Sequence, residues 1–390
     1  MPATLPRIRL KTGRRSNHPW IFERMVERPA RRPEPGSIVD IEDREGTWCG
    51  RGFYNGNSGI ALRVLTVDPA EAVDAAFFEQ RISRAVALRR EALALDEVTD
   101  AYRLVHSEGD ELSGLVVDRF GDLIVAEYFS AGMWCVRDHV RAALERCFPG
   151  TRYHEFAEEY AQEQEGLRIP PPSVPEPAVI TEHGVKFHAA PGTKHKTGFF
   201  ADQRDNRLRL SQFTKGARVL DLCCNSGGFG LYAKTIGGAD EVVGLDLDEE
   251  ILAVAQDNAK LNRVRLKYVQ ADLFPWLRDV VIGNGERFDV VILDPAKMTR
   301  DRDSVIPALK KYLDMNKLAL AAVKPGGIFL TCSCTGLVSE ADFLEMLRRA
   351  AFYAERTVQV LQVTGAGPDH PFLASVPESR YLKAAFCRVY

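Results

Sequence analysis

Cysteine is scarce in this chain of 390 residues, which contains eight. No CxxC pair occurs, and no histidine stands at zinc-finger distance from a pair of cysteines, so a structural zinc site is not expected. Eight thiols in a chain of this length are too few for a disulfide scaffold. We therefore expect free thiols, which leaves one of them available for catalysis.

Long apolar runs are also missing. No uninterrupted apolar run approaches the roughly 18 residues that a membrane helix needs. The first residues, Met1 to Arg7, carry a charge with no apolar stretch behind it, which does not predict a signal peptide. The cytoplasm is therefore the expected compartment. Glycine and proline occur at near-average frequency, 30 and 21 residues, which argues against fibrous and disordered classes.

Positive charge is low overall but unevenly distributed. The net charge of −3 taken alone argues against a nucleic-acid partner. Residues 1–35, however, hold nine Arg and Lys residues against three Glu, a local charge of +6, so the rest of the chain carries −9. This asymmetry is typical of a protein with an acidic partner such as RNA, and a solvated basic terminus explains it equally well.

The hydrophobic pattern predicts three domains. Short apolar runs between glycines and asparagines across residues 36–66 predict a small β-barrel within residues 1–70. Residues 71–185 read as an α+β domain that ends in a proline-rich connector at 170–177. Residues 186–390 alternate strands and helices, which predicts a doubly wound α/β fold.

The order of the last elements separates two versions of that fold. After a helix near residues 339–352, strands are predicted at 356–363 and 381–389 with no helix between them. Without a crossover helix, the final strand has to enter antiparallel. A seven-stranded sheet with one reversed strand is typical of class I methyltransferases, whereas dinucleotide dehydrogenases normally have all-parallel sheets.

A glycine-containing loop follows the first strand of this α/β domain, in the sequence Asp221-Leu-Cys-Cys-Asn-Ser-Gly-Gly228. Glycines there allow backbone amides to approach a ligand, and the acid can hold an ammonium or a hydroxyl group. The loop lacks GxGxxG spacing, and its acid would repel a phosphate. It therefore favours a cationic, phosphate-free cofactor such as S-adenosylmethionine, with Cys223, Asn225 and Gly227 as loop members of the binding site and Cys223 mainly a packing residue.

Two further acids follow the next two predicted strands. Asp246 is expected to hold the two ribose hydroxyls, and Asp272 lies where the adenine would bind. Either acid alone could be a helix cap. Acids at the ends of three successive strands, all at the sheet edge where ligands bind, favour the ligand-binding interpretation.

The fourth and fifth strands end in Asp294-Pro-Ala-Lys297 and Thr331-Cys-Ser-Cys-Thr-Gly336. A cysteine at this edge suggests covalent catalysis on a pyrimidine. Carbon C5 of cytosine is a poor nucleophile until a thiolate adds to C6, and methyl transfer, loss of the C5 proton and elimination of the thiol would follow. A buried, inert thiol is the alternative for either cysteine.

Several motifs make the chain similar to a known family over essentially its whole length. They are His18-Pro-Trp-Ile-Phe22, Leu104-Val-His-Ser-Glu-Gly-Asp110, Gly114-Leu-Val-Val-Asp118, Lys196-Thr-Gly-Phe-Phe-Ala-Asp-Gln-Arg-Asp-Asn-Arg207, Ser333-Cys-Thr-Gly336, Asp369-His-Pro371 and Pro377-Glu-Ser-Arg-Tyr-Leu-Lys383. The sequence resembles the PUA-domain-containing bacterial large-subunit rRNA (cytosine-5)-methyltransferases.

The resemblance implies an N-terminal PUA barrel for RNA, a middle α+β domain and a C-terminal class I methyltransferase. It implies Cys334, rather than Cys332, as the nucleophile. Asp294 and Lys297 would contact the base or its phosphate, although Ala296 replaces the second proline of the family's Asp-Pro-Pro-Lys. Lys196 and Arg204 are implied to border the cofactor pocket.

The predicted activity is therefore formation of 5-methylcytosine in large-subunit rRNA. Two alternatives stay open at this point: methylation of a base nitrogen, often of guanine, on the same scaffold, and a non-catalytic RNA-binding assembly factor. A homodimer is compatible with the sequence.

Overall fold

The structure, a computed structural model, describes residues 5–13, 17–171, 173–191, 198–299 and 301–390. The chain divides into two compact units. Unit 1 comprises Met1–Ile180, Ala189–Phe199 and Pro368–Ser379, and unit 2 comprises Thr181–His188, Phe200–Gly367 and Arg380–Tyr390. The three-domain division made from sequence stays a prediction.

Unit 1 begins with a five-stranded sheet. Its strands are β1 (Arg7–Arg9), β2 (Trp20–Phe22), β3 (Ser37–Glu42), β4 (Trp48–Tyr54) and β5 (Ile60–Thr66). The strand order is β1-β3-β4-β5-β2, with β1 and β3 parallel and the other pairs antiparallel. Val39 and Ile41 of β3 are buried on one face because apolar and polar residues alternate along that strand, whereas β5 is buried along nearly its whole length. The short strands predicted for residues 36–66 are confirmed.

The rest of unit 1 is a four-stranded sheet with helices. Its elements are α1 (Ala75–Ala87), β6 (Ala101–His106), β7 (Leu115–Phe120), β8 (Leu123–Tyr128), α2 (Ala131–Cys135), α3 (Arg137–Cys147), β9 (Arg152–Phe156) and α4 (Glu159–Glu165). The sheet order is β6-β7-β8-β9. Asp74 starts α1 by accepting a hydrogen bond from the Phe77 amide, as an N-cap should. The helices α2 and α3 meet at Val136.

Unit 2 contains most of the predicted α/β pattern. A hairpin of β10 (Ala178–Glu182) and β11 (Val185–Ala189) leads into it. The elements that follow are α5 (Arg204–Ser211), β12 (Arg218–Leu222), α6 (Gly228–Thr235), β13 (Glu241–Asp246), α7 (Glu249–Leu261), β14 (Lys267–Gln270), α8 (Leu273–Pro275), β15 (Phe288–Leu293), α9 (Val305–Ala321), β16 (Val323–Ser333), α10 (Glu340–Tyr353), β17 (Val358–Thr364) and β18 (Lys383–Val389).

The seven strands from β12 to β18 form one sheet in the order β14-β13-β12-β15-β16-β18-β17. Only β18 is reversed, since it pairs antiparallel with both β16 and β17. In the central strand β15, the run Val290–Leu293 is apolar and buried, because helices cover both faces of the sheet. The predicted class I methyltransferase sheet with one antiparallel strand is confirmed. Within the described ranges, no helix combines the length and the apolar character needed to cross a membrane.

One short C-terminal segment, Pro368–Ser379, belongs to unit 1 rather than to unit 2. Its anchor is Asp369, which is fully buried. The Asp369 carboxylate accepts a hydrogen bond from the Arg103 amide at 3.0 Å, and its carbonyl accepts one from the Arg89 guanidinium at 2.7 Å. Arg89 also makes a two-point ion pair with Asp110, so the segment completes a buried polar network.

Candidate active site

The loop that follows β12 is held by a buried carboxylate. One carboxylate oxygen of Asp221, Oδ2, accepts a hydrogen bond from the Gly230 amide in α6 at 2.9 Å. Its other oxygen, Oδ1, is buried and has no hydrogen-bond partner among the described residues. Burial, together with the nearby charges of Asp294 and Asp246, raises the pKa of Asp221 to about 7. An orphaned carboxylate oxygen at this position suits a ligand that brings a donor or a positive charge.

The same loop presents bare backbone. Cys223, Asn225 and Gly227 all have positive φ angles, of 59°, 49° and 82°. A Cβ atom at Gly227 would lie 2.7 Å from the Tyr268 hydroxyl, so only glycine fits there without moving that side chain. The loop therefore keeps an open surface of main-chain groups next to Asp221.

Asp246, at the end of β13, closes the loop from the neighbouring strand. Its Oδ2 accepts a hydrogen bond from the Asn225 amide at 2.9 Å, and its Oδ1 accepts one from the Asp248 amide at 3.2 Å. Asp272 is exposed, and its carboxylate accepts a hydrogen bond from the Phe274 amide at 2.8 Å. Asp272 thus caps α8 and, in addition, lies at the ligand-binding edge of the sheet.

These residues fit S-adenosylmethionine. The edge carries three carboxylates and an open glycine loop, and one buried carboxylate oxygen lacks a partner. A sulfonium and an amino group are cations that such carboxylates attract, whereas a pyrophosphate would be repelled.

Asp294 and Cys334 lie at neighbouring strand ends. β15 and β16 pair in parallel, with Leu293 opposite Thr331, so both strands end at the same edge. The Cys334 Sγ atom lies 3.9 Å from the carbonyl oxygen of Pro295. The structure therefore brings together two motifs that are 40 residues apart in sequence.

The two cysteines of this motif differ in their surroundings. Cys334 is partly exposed, whereas Cys332 is completely buried in the core. Burial raises the pKa of the Cys332 thiol well above its ordinary value, and the negative charge of Asp294 adds to the effect. Cys332 therefore has the surroundings of an inert packing thiol.

A hydroxyl network fixes the loop that carries Cys334. The Thr335 hydroxyl lies 2.9 Å from the Tyr312 hydroxyl, which also accepts a hydrogen bond from Ser333 at 3.1 Å. The Thr335 hydroxyl also accepts a hydrogen bond from the Met298 amide at 3.3 Å. This network links the two loops, so the positions of Asp294 and Cys334 depend on each other.

Gln203 is a site residue that the sequence did not single out. Its side-chain amide donates a hydrogen bond to the Asp294 carboxylate at 3.0 Å, and its side-chain carbonyl accepts one from Asn206 at 2.6 Å. An amide-rich stretch inside the long motif at 196–207 is the signal that could have identified Gln203.

Arg204, which the resemblance implied for the cofactor pocket, is buried and donates a hydrogen bond to the carboxylate of its neighbour Asp205 at 3.1 Å.

Two predicted site residues, Lys297 and Lys196, remain. Lys297 is exposed in the loop after β15. Lys196 lies outside the described residues.

The glycine loop after β12 packs against a buried ion pair between Arg207 and Glu182. The Arg207 guanidinium donates to both carboxylate oxygens of Glu182, at 2.9 and 3.0 Å, and both residues are buried. Tyr232 of α6 donates its hydroxyl to the same carboxylate at 2.8 Å. A Cβ atom at Gly228 would lie 3.2 Å from the Arg207 side chain, which shows how closely the loop packs on this pair.

Known proteins match the chain along its full length. Residues 173–374 match the family described as S-adenosylmethionine-dependent methyltransferase, and residues 10–67 match a PUA-like domain. The chain is 38% identical to Ribosomal RNA large subunit methyltransferase I of Aeromonas hydrophila, over 95% of both chains. It is 37% identical to the protein of the same name from Klebsiella pneumoniae (strain 342), over 98% of both chains. The chain belongs to this family.

Solved structures agree with this family in fold. A methyltransferase crystallised in complex with SAH has a TM-score of 0.82 at 18% identity, covering 99% of this chain and 100% of that one. A SAM-dependent methyltransferase from Streptococcus mutans has a TM-score of 0.80 at 17% identity, covering 98% and 100%. The chain is thus an S-adenosylmethionine-dependent methyltransferase with an N-terminal PUA-like domain, and the predictions of an enzyme and of this cofactor are confirmed.

The raised pKa of Asp221 predicts a specific pH dependence of stability in this methyltransferase. The folded-state pKa of about 7 exceeds the ordinary value near 3.9, so the folded protein holds a proton that the unfolded chain releases. The contribution of Asp221 to stability is complete below about pH 4 and is lost as the pH rises through 7. We expect the wild-type enzyme to lose stability relative to Asp221→Asn between pH 5 and pH 8. Urea unfolding of both proteins without cofactor measures this, and an identical pH dependence would contradict it.

Proposed function

We propose that this methyltransferase forms 5-methylcytosine in large-subunit rRNA, with Cys334 as the nucleophile. The observation that carries the proposal is the placement of a partly exposed thiol beside the loop of Asp294 at the ligand-binding edge of the sheet. The relatives' names supply the substrate class, since both are called ribosomal RNA large subunit methyltransferases.

A thiol at this position has a clear chemical purpose. A thiolate that adds to C6 of cytosine forms a carbon–sulfur bond and makes C5 electron-rich. S-adenosylmethionine, when bound, supplies the methyl group. Loss of the C5 proton to a base and cleavage of the carbon–sulfur bond then restore the aromatic ring and the thiolate. Methylation of a ring nitrogen or an exocyclic amine needs no such thiol.

Cys334 is better suited to this role than Cys332. A nucleophile has to reach the base, and Cys332 has no exposed surface. Its raised pKa also keeps it protonated near neutral pH. This choice between the two thiols agrees with the one that the family resemblance implied.

Asp294 is proposed to hold the edge of the target base. Its carboxylate already accepts a hydrogen bond from Gln203, which fixes its orientation before substrate binds. Lys297, exposed three residues further on, is proposed to contact a phosphate or the base. A target base held here would have to be turned out of its stack, as in other enzymes that react at a base carbon.

The cofactor is proposed to bind along the ends of β12, β13 and β14. Gly227 would allow main-chain amides to approach it, with Cys223 and Asn225 shaping the loop. Asp246 would hold the ribose hydroxyls, and Asp221 would offer its unpaired oxygen to a cationic group. Asp272 is proposed near the adenine. Arg204 and Lys196 remain proposed neighbours of this pocket.

The PUA-like domain offers a surface for RNA. A cavity of about 760 Å³ in unit 1 is lined by Lys11, Arg24, Arg28 and Arg32, with two glutamates also at its wall. All four cationic side chains are exposed. Exposed arginines and lysines bind the phosphate backbone through salt-sensitive contacts, which agrees with the proposed binding of RNA by this domain.

The covalent step can be tested directly by trapping. An RNA containing 5-fluorocytosine cannot lose fluorine from C5, so the thiol cannot be eliminated after methyl transfer. We expect a denaturation-resistant protein–RNA adduct that requires S-adenosylmethionine, with the mass increase on the peptide that contains Cys334. Peptide mass spectrometry localises it, and RNA with ordinary cytosine is the control.

The opposite result is equally informative. Absence of an adduct, together with methylated guanine in the product nucleosides, would replace this proposal with the nitrogen-methylating alternative.

A further inference from the structure

A buried lysine lies at the strand end that bears Cys334. Lys383 is the first residue of β18 and is 3% exposed. It lies directly opposite Ser333 in the antiparallel pairing of β16 with β18. Ser333 immediately precedes Cys334, so the lysine and the thiol belong to adjacent positions of one sheet edge.

The ammonium group of Lys383 is tied to the loop of the thiol. Its Nζ atom donates to the carbonyl of Thr335 at 2.7 Å and to the carbonyl of Tyr381 at 2.9 Å. Thr335 is the residue after Cys334. The lysine therefore fixes the backbone on the far side of the nucleophile, while Ser333 is fixed by Tyr312.

This buried cation has no carboxylate partner. Among the described residues, no Asp or Glu lies within ion-pair distance of Lys383, and two surface charges that act on it, Arg380 and Glu340, pair with each other at 2.7 Å. A buried charge without a counterion is costly unless an anion forms beside it. A thiolate at Cys334 is such an anion.

Several described groups near the thiol oppose its ionisation. Cys334 has Asp294 at the neighbouring strand end, Tyr312 on α9 and Cys332 on its own strand. A carboxylate nearby and partial burial both raise the pKa of a thiol. Lys297 is exposed, so solvent screens its charge. Among the described residues, Lys383 is a buried cation bonded to the loop of Cys334, and its charge can offset these groups.

We propose that Lys383 is a positioning residue that keeps Cys334 as a thiolate and holds its loop in place. The proton of the thiol passes to solvent, and the sulfur retains the electron pair that it donates to C6. The role of Cys334 as nucleophile rests on the proposed function. The electrostatic effect of Lys383 on the Cys334 thiol is independent of that function.

The protonation of Lys383 itself agrees with this arrangement. Burial lowers the pKa of Lys383, and the charge of Cys334 raises it, with a resulting value of about 8. At neutral pH the side chain is therefore mostly an ammonium, and formation of the thiolate would strengthen that state.

The test measures the thiol without substrate or cofactor. Full-length enzyme is alkylated with iodoacetamide across pH 5.5 to 9.5, and peptide mass spectrometry with fragmentation reads out Cys334 separately from Cys332. In Lys383→Met we expect the apparent pKa of Cys334 to rise by about one unit and the alkylation rate at pH 7 to fall by about threefold or more. Lys383→Arg, which keeps the charge, should stay near the wild-type value.

Two further variants keep the result interpretable. Lys324, near the opposite end of β16, pairs with Asp289 at the surface, and Lys324→Met should leave the pKa of Cys334 unchanged. Lys383→Gln retains a donor for the Thr335 carbonyl and serves if the methionine variant does not fold, as judged by circular dichroism.

An unchanged pKa of Cys334 in the folded neutral variants overturns the proposal, even if methyl transfer falls. By contrast, full methyl transfer by Cys334→Ala would refute the proposed function and leave the pairing measured by alkylation intact.

Discussion

Replacing Cys334 with alanine is expected to lower methyl transfer to RNA by at least about 10⁴-fold, because loss of its nucleophile can cost an enzyme about 10⁶-fold in rate. Cys334 lies at the end of β16 with its sulfur close to the loop of Asp294, and no other thiol in the described part of that loop is exposed. Without the sulfur, C5 of cytosine stays unreactive, because Asp294 can orient the base but cannot add to C6. Incorporation of a tritiated methyl group into rRNA measures the loss.

The matched control is Cys332→Ala, two residues earlier on the same strand. We expect this variant to transfer methyl groups within about threefold of the wild-type rate and to lose about 1 kcal/mol of stability, because its sulfur only fills space in the core. Calorimetry should show that both variants still bind S-adenosylmethionine. Normal turnover by Cys334→Ala would disprove the covalent assignment.

The second large effect concerns stability. Arg207→Met should lower the free energy of unfolding of unit 2 by about 3–5 kcal/mol, because it leaves the carboxylate of Glu182 buried without its cation. Glu182 has no exposed surface, so water cannot replace the guanidinium. The hydroxyl of Tyr232 would remain as a donor but carries no charge. Urea unfolding followed by circular dichroism measures the change.

Arg209→Met on the same helix is the control for this prediction. Arg209 is exposed, donates a hydrogen bond to Gln212 at 3.2 Å and lies over the Phe213 ring, so its loss should cost less than about 0.5 kcal/mol. The double variant Glu182→Gln with Arg207→Met should recover most of the lost stability, since the uncompensated charge is gone. Equal stability of Arg207→Met and Arg209→Met would show that the pair is not coupled in this way.

Much of the fold follows from local sequence. The apolar run Val290–Leu293 in β15 indicates a strand buried on both faces, and the missing helix before β18 indicates a reversed final strand. Both features depend on residues that are neighbours in the chain. The acids at the ends of β12 and β13 could be predicted for the same reason, since strand ends in a parallel sheet share one edge.

The supporting contacts of the site could not be predicted in this way. Gln203 reaches Asp294 across 91 positions, and Lys383 reaches the Thr335 carbonyl across 48. The partner of Arg207 is on a hairpin that precedes the α/β pattern. Pairings of this kind depend on how elements pack, and a single sequence carries no periodic signal for them. Likewise, the different solvent exposure of Cys332 and Cys334 in the folded protein distinguishes the buried thiol from the accessible one, and their spacing in the sequence does not.

The segment that contains Asp369 affects the order in which the protein can mature on the ribosome. The backbone amide of Arg103 donates its hydrogen bond to the carboxylate of a residue that is 266 positions later. At translation rates of about 5–20 residues per second, that partner is synthesised roughly 10–50 s after Arg103. Unit 1 therefore cannot complete its buried polar network during synthesis of its own N-terminal stretch. The N-terminal unit therefore cannot finish folding before the later part of the chain is synthesised, and it reaches its final state only after nearly the whole polypeptide has emerged.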